Sequence, residues 1–207
     1  MASWWERNGV PRLIKCACSQ GQIMKLRSQV VPHARGHVLE LGCGGGINME
    51  FYRPGQIVSF SGLDPSPELL AMSVAAAAAR GIEADIRGGV GEAMPFESGQ
   101  FDTVVTTFTL CSVNDQTAVL SEIRRVLKTG GTALFLEHGR APDAHVATWQ
   151  RRIEPVWKRI GGNCHLTRPI GDAYEKAGFA VDRQAAAYVP KTPRPFGWVE
   201  YGAARPA

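Results

Sequence analysis

The 207 residues bound this chain to one domain, or one domain with a small appendage. At 44% hydrophobic and 20% charged its composition is globular, which excludes a disordered chain, and its uncharged stretches fall well short of the roughly 18 apolar residues that span a bilayer. The net charge of +4 divides into +5 for residues 1–37, −5 for 38–140 and +4 for 141–207, without the dense basic stripe of a nucleic-acid binder. The acidic centre suits a cationic ligand or is simply a solvated face. No apolar run near the N-terminus ends in a small-residue cleavage site, so no signal peptide is expected. Cysteines 16, 18, 43, 111 and 164 are odd in number and lack paired metal spacing, with Cys16-x-Cys18 too close for the usual zinc knuckle; a reducing cytoplasm is the expected setting.

Strand and helix signals alternate along the middle of the chain, which predicts a parallel sheet with crossover helices. His37–Leu41 reads as the first strand, followed at once by Gly42-Cys-Gly-Gly-Gly46 and a short helix through Asn48 to Tyr52. Ile57–Leu63 is the second strand, ending at Asp64. Ser66-Pro67-Glu68 starts a helix with an N-cap serine, a first-turn proline and an acid at the positive end of the dipole. That helix runs through the alanines 75–79 to Gly81. Ile82, Ala84 and Ile86 alternate as a third strand, and Phe101–Thr107 is the fourth. Asn114 or Asp115 caps a helix through Leu127, Gly130-Gly131 turns, and Thr132–Glu137 is the fifth strand. Residues 141–168, with Trp149 and Trp157, read as a helical insertion over the pocket. Pro169–Ala177 is a helix stopped by Gly178, and Val181–Tyr188 pairs with Trp198–Ala203 as an antiparallel hairpin at the sheet edge.

The glycine segment carries the chemistry. Gly42, Gly44 and Gly46 stand where a strand turns into a helix, and they let a ligand press against the backbone. The helix start behind them offers free N–H groups. Asp64, 22 residues after Gly42 at the end of the next strand, can accept two ribose hydroxyls. Together they predict a nucleoside-containing cofactor at the carboxyl end of a parallel sheet. The dinucleotide spacing fails, because its third glycine position is Ile47, and the Gly-Lys-Ser/Thr of a P-loop is absent.

Glu40-x-Gly42-x-Gly44-x-Gly46 resembles motif I of the class I S-adenosylmethionine-dependent methyltransferases. Gly91-Glu-Ala-Met-Pro-Phe96, Phe101-Asp-Thr-Val-Val105, Glu122 to Gly131 and the terminal hairpin resemble later motifs of that family in the right order, over residues 36–140. The chain resembles the quinone C-methyltransferase-like branch labelled type 11. It is more similar still to the animal membrane-associated alkyl thiol methyltransferases and their small bacterial relatives. That narrower likeness is carried by Pro11-Arg-Leu-Ile14, Thr109-Leu-Cys-Ser-Val113, Glu137-His138, the Trp149–Trp157 segment and Cys164-His-Leu-Thr-Arg168. The animal enzymes carry an N-terminal membrane anchor, which is not expected here. Quinone-type members often have an acid two residues before Glu92; here it is Val90, so backbone near Gly91, Glu92 and Ala93 is expected to meet the adenine.

The resemblance implies a Rossmann-like α/β fold with a seven-stranded, mostly parallel sheet and a reversed last strand. The methyltransferase domain is expected over 36–207, with a helical N-terminal lid over 1–35. S-adenosylmethionine is the implied cofactor and S-adenosylhomocysteine its product. Gly42 and Gly44 are expected to approach the methionine part, Asp64 the ribose with Pro65 nearby, and Glu92, Ala93 and Met94 the adenine. Thr107 is expected to offer its carbonyl to the cofactor ammonium and Leu110 to close over it. Glu40 orients the glycine loop or is a strand-end acid linked to solvent.

For the acceptor, His138 is a candidate base or a strand-end histidine bonded to backbone. His165 and Arg168 are candidates to touch substrate, Arg168 by lowering a thiol pKa or by pairing with Asp172 instead. Thr109, Cys111 and Trp5 are candidate pocket residues, with Cys111 and Cys164 alternatively ordinary buried cysteines. Trp4, Trp5, Leu13 and Ile14 suit a lid more than a membrane-surface contact with Arg7, Arg12, Lys15 and Lys25, because no clean amphipathic face emerges. A small apolar acceptor is expected, with no nucleic-acid partner and no metal. Small-thiol S-methylation is the leading expectation; C- or N-methylation of a quinone or phospholipid head group is one rival, and a non-catalytic cofactor-binding module is the other.

Overall fold

β1 (Gly36–Leu41) and β4 (Phe101–Thr107) bury side chains of both parities, which is how a strand in the middle of a parallel sheet reads. Alternate residues feed two cores. Leu39, Leu41, Val104 and Phe135 join one, Val38, Val105, Leu134 and Leu136 the other, as the two faces of a pleated sheet require. The computed structural model describes residues 20–207. Expectations for residues 1–19, including Trp4, Trp5, Cys16 and Cys18, lie outside the described residues.

The sheet has seven strands in the order β3-β2-β1-β4-β5-β7-β6, with β2 Ile57–Asp64, β3 Ala84–Gly88, β5 Leu127–His138, β6 Phe179–Tyr188 and β7 Trp198–Pro206. Pairings from β3 through β5 are parallel, and β7 runs antiparallel to both β5 and β6. The order reverses direction between β1 and β4, so the carboxyl ends of these strands open a crevice at the switch point. The helices are α1 (Gly21–Val30), α2 (Pro67–Ala78), α3 (Gln116–Val126), α4 (Ala144–Ile160), α5 (Ile170–Lys176) and α6 (Arg194–Gly197). Ile23 and Val30 of α1 join the core on one side of the sheet, and Leu120, Ile123 and Tyr174 of α3 and α5 join the other.

Asp115 caps α3, its carboxylate accepting the amides of Thr117 at 2.9 Å and Ala118 at 3.1 Å, a contact worth about 1 kcal/mol. Ser66 makes no such bond. Its amide donates to Asp64 at 2.9 Å and its hydroxyl donates to Glu68, so the side chain is turned to the helix's first acid and not to its first free amides. β5 begins earlier than expected, at Leu127 rather than Thr132. Leu127 pairs with Phe101 and Thr132 with Thr103, so the Gly130-Gly131 turn lies inside the strand as an irregularity. The segment 141–168 is helical only over α4; a loop follows that brings Gly161, Gly162 and Cys164 to the crevice. Among the described residues no helix is long and apolar enough to cross a membrane.

Candidate active site

The crevice holds a cavity of about 430 Å³, bounded on one side by the turn after β1. Gly42 adopts φ +70°, and a Cβ there would lie 2.3 Å from Thr109 Oγ1. That hydroxyl donates to the Leu41 carbonyl at 3.0 Å, so the turn and the β4 loop are locked together at a place where only glycine fits. A Cβ on Gly44 would meet nothing nearer than 4.0 Å, which leaves open space above it. Gly46 does not line the cavity. It sits against Ala76 and Ser73 of α2, so its missing side chain serves helix packing. Asp64, at the tip of β2, accepts the Gly44 amide at 2.9 Å and the Ser66 amide at 2.9 Å. Burial pushes its carboxyl pKa up, and the two amides oppose that.

Behind the turn lies a buried polar network. Glu40, 1% exposed, accepts from Asn48 Nδ2 at 2.8 Å and from the Tyr52 hydroxyl at 2.9 Å. Arg27 of α1 donates to Asn48 Oδ1 at 2.6 Å and to Thr107 Oγ1 at 2.7 Å. Burial raises the Glu40 pKa to about 7 despite those donors and the Arg27 charge. Glu40 therefore braces the loop from below rather than meeting solvent.

The opposite wall is the segment after β4. Phe108 sits at φ +56°, rare for a bulky side chain, with its ring between Arg27 and His138. Glu137, fully buried, accepts the amides of Thr109 at 3.1 Å and Cys111 at 3.3 Å. Arg168 does not line the cavity, and no ion pair joins it to Asp172, which lies 4.0 Å from Arg140. Its guanidinium donates to the carbonyls of Leu110 at 2.6 Å and Val113 at 2.8 Å, clamping the loop from outside. His165 also misses the cavity, because its imidazole faces Glu154 of α4 at 3.4 Å, and burial lowers its pKa. Leu110 and Met94 are core residues, and Ala93 is not in the lining. Glu92 lines the cavity while accepting the amides of Asn114 and Asp115.

Glu40, Gly42, Gly44, Asp64, Pro65, Glu92, Thr107, Thr109, Cys111 and His138 all border the one cavity, and Cys164 joins them from the loop after α4. His138 Nδ1 lies 3.6 Å from Cys164 Sγ, and ligand atoms of Cys111, His138 and Cys164 all fall within 4.8 Å of one another. Trp157 of the expected insertion lines the cavity and Trp149 does not, while Arg27 and Phe108 also line it and had no signal in the sequence, since they read as ordinary helix and strand-end residues.

A family described as a methyltransferase domain matches residues 39–135, from β1 to β5. Thiol S-methyltransferase TMT1B of Rattus norvegicus is 39% identical over 169 residues, covering 80% of this chain and 66% of that protein. Residues 39–135 of this chain thus match the methyltransferase-domain family. Its Homo sapiens relative of the same name is 38% identical over 172 residues, again covering 80% and 66%. The chain thus spans about 66% of the length of the curated relatives it matches. Among solved structures, a methyltransferase-like protein from Bacillus halodurans C-125 superposes with a TM-score of 0.67 at 16% identity, covering 97% of this chain and all of that one, which is a shared fold. Within the methyltransferase-domain family, the matched span carries the glycine turn, Asp64 and the β4 loop. His138 and Cys164 lie beyond it.

Proposed function

We propose that this chain transfers a methyl group from S-adenosylmethionine to the sulfur of a small thiol. The observation that carries the reading is one cavity joining two unlike ends. One end has Gly44 with open space above it and Asp64 beside it; the other has Phe108, Trp157, Cys111, Cys164 and His138. The residues at the first end fit a nucleoside cofactor. Gly42 and Gly44 border its amino-acid part, Asp64 receives the ribose hydroxyls, and Gly89 to Glu92 border the adenine. When bound, S-adenosylmethionine supplies an electrophilic methyl on a sulfonium.

The chain's own work is alignment and exclusion of water. Phe108 and Trp157 give the acceptor an apolar wall. At about 430 Å³ the cavity is at the low end for ligand sites, of order 300–1,000 Å³, so the acceptor beside the cofactor is small. A thiol suits the site because a few per cent is thiolate near neutrality and intrinsically nucleophilic. His138 lines the same end of the cavity, and its imidazole is the candidate acceptor for the remaining thiol proton. Relatives named thiol S-methyltransferase support the same acceptor class. The test follows methyl-labelled cofactor into volatile product. With methanethiol, label appears in dimethyl sulfide, and Asp64→Ala weakens cofactor binding by at least about 100-fold, the scale of two lost charge-assisted hydrogen bonds. Label in no thioether from any small thiol refutes the reading.

A further inference from the structure

Cys111 follows β4, His138 ends β5, and Cys164 lies in the loop after α4, so three separate segments bring two sulfurs and one imidazole together. We propose that these three side chains bind a zinc ion whose open fourth position receives the acceptor as a thiolate. This rests on the thiol reading above.

The geometry and the chemistry agree. Zinc is held by cysteine at about 2.3 Å and histidine at about 2.0–2.1 Å in tetrahedral sites, which implies sulfur–nitrogen separations of about 3.6 Å. Cys164 Sγ and His138 Nδ1 lie 3.6 Å apart, and all three ligand atoms fit within 4.8 Å. Two cysteines and one histidine with a free position is the pattern of a catalytic rather than a structural zinc. All three side chains line the cavity, so the free position is reached from it. The supporting shell is built. The His165 amide donates to the Cys111 carbonyl at 2.7 Å, tying the two cysteine loops together. Glu137 holds the Cys111 amide at 3.3 Å, and Phe108 braces the imidazole with ring centres 4.8 Å apart.

The step balances. The thiol binds the cation as thiolate and its proton goes to solvent, so His138 is then a ligand. A sulfur lone pair forms the new S–CH3 bond. The methyl–sulfonium bond breaks and its electron pair stays on the departing sulfur, leaving a neutral thioether, S-adenosylhomocysteine and one proton. The cation holds the nucleophile ionised where solvent alone leaves mostly thiol.

The full chain, chelated under reducing conditions, is titrated with cobalt(II) as a spectroscopic substitute and then with zinc. The expected result is saturation at one equivalent, with a sulfur-to-cobalt charge-transfer band and intense tetrahedral d–d bands that zinc abolishes. Methanethiol shifts the d–d bands. Cys111→Ser and Cys164→Ser each weaken binding by at least about 100-fold, while Cys16→Ser with Cys18→Ser leaves the spectrum intact. Absence of the charge-transfer band in the wild-type chain overturns the site, whatever the variants do. A spectrum unmoved by methanethiol overturns the acceptor role. Methylation of methanethiol at full rate by the chelated chain overturns the zinc proposal and leaves thiol transfer standing. Cobalt bands that respond to methanethiol, with no thioether formed, support the site and refute the transfer reading instead.

Discussion

A Cβ on Gly42 has nowhere to go, because Thr109 Oγ1 lies 2.3 Å from where it would sit and the backbone is at φ +70°. Gly42→Ala is expected to cost about 2–4 kcal/mol in stability from the left-handed strain and the displaced hydroxyl, read as a lowered thermal midpoint. Glu40 sets a pH dependence of its own. Its folded pKa of about 7 exceeds the ordinary 4.5, so the folded state holds the extra proton between them. Its contribution is therefore full below about pH 4.5, falls as pH rises towards 7, and is flat beyond, a change of about 3 kcal/mol. Glu40→Gln removes that fall. Melting curves from pH 5 to 8 should show the variant gaining on wild type as pH rises, and parallel curves would contradict the buried-acid account. Asp64, Gly42 and Gly44 were legible as cavity residues because a strand end followed by glycines has few uses, whereas Gly46 serves helix packing instead. Arg27 was not, because a helical arginine reads as surface, and only the fold turns it towards Asn48 and Thr107.

At the scale of elements, the β4 loop is held from both sides, by Glu137 from β5 and by Arg168 from the segment before α5. Arg168→Met leaves two carbonyls without their donor, and kcat is expected to fall about 10-fold with cofactor affinity nearly unchanged. Arg168→Lys should rescue only in part, since one ammonium cannot span both carbonyls as the planar fork does. His165 faces Glu154 and not the cavity, so His165→Gln should keep turnover within about 3-fold, whereas His138→Ala loses about 100-fold or more. Equal losses would return His165 to the site. The strands were legible from their unbroken apolar runs. The course of the segment after α4 was not, because nothing in Cys164-His-Leu-Thr-Arg168 says which of its side chains turns inward. Cys164 does, while His165 and Arg168 bond to neighbouring elements.

For the whole molecule, alternating strands and helices were enough to anticipate a parallel sheet with crossover helices and an antiparallel hairpin at its edge, whereas the count of seven strands and the reversed last strand came from the family resemblance. The glycine-turn end of the cavity, proposed above for the cofactor, follows from that order, with the turn after β1 beside the tip of β2 at the switch point. The acceptor end depends on three segments far apart in sequence, and no local spacing encodes their meeting. The decisive measurement is kcat/KM from S-adenosylhomocysteine formation, with hydrogen sulfide, methanethiol and longer alkyl thiols compared against a demethylquinone and phosphatidylethanolamine. The account predicts at least about 100-fold preference for a small thiol. A higher kcat/KM for the quinone or the phospholipid would contradict it.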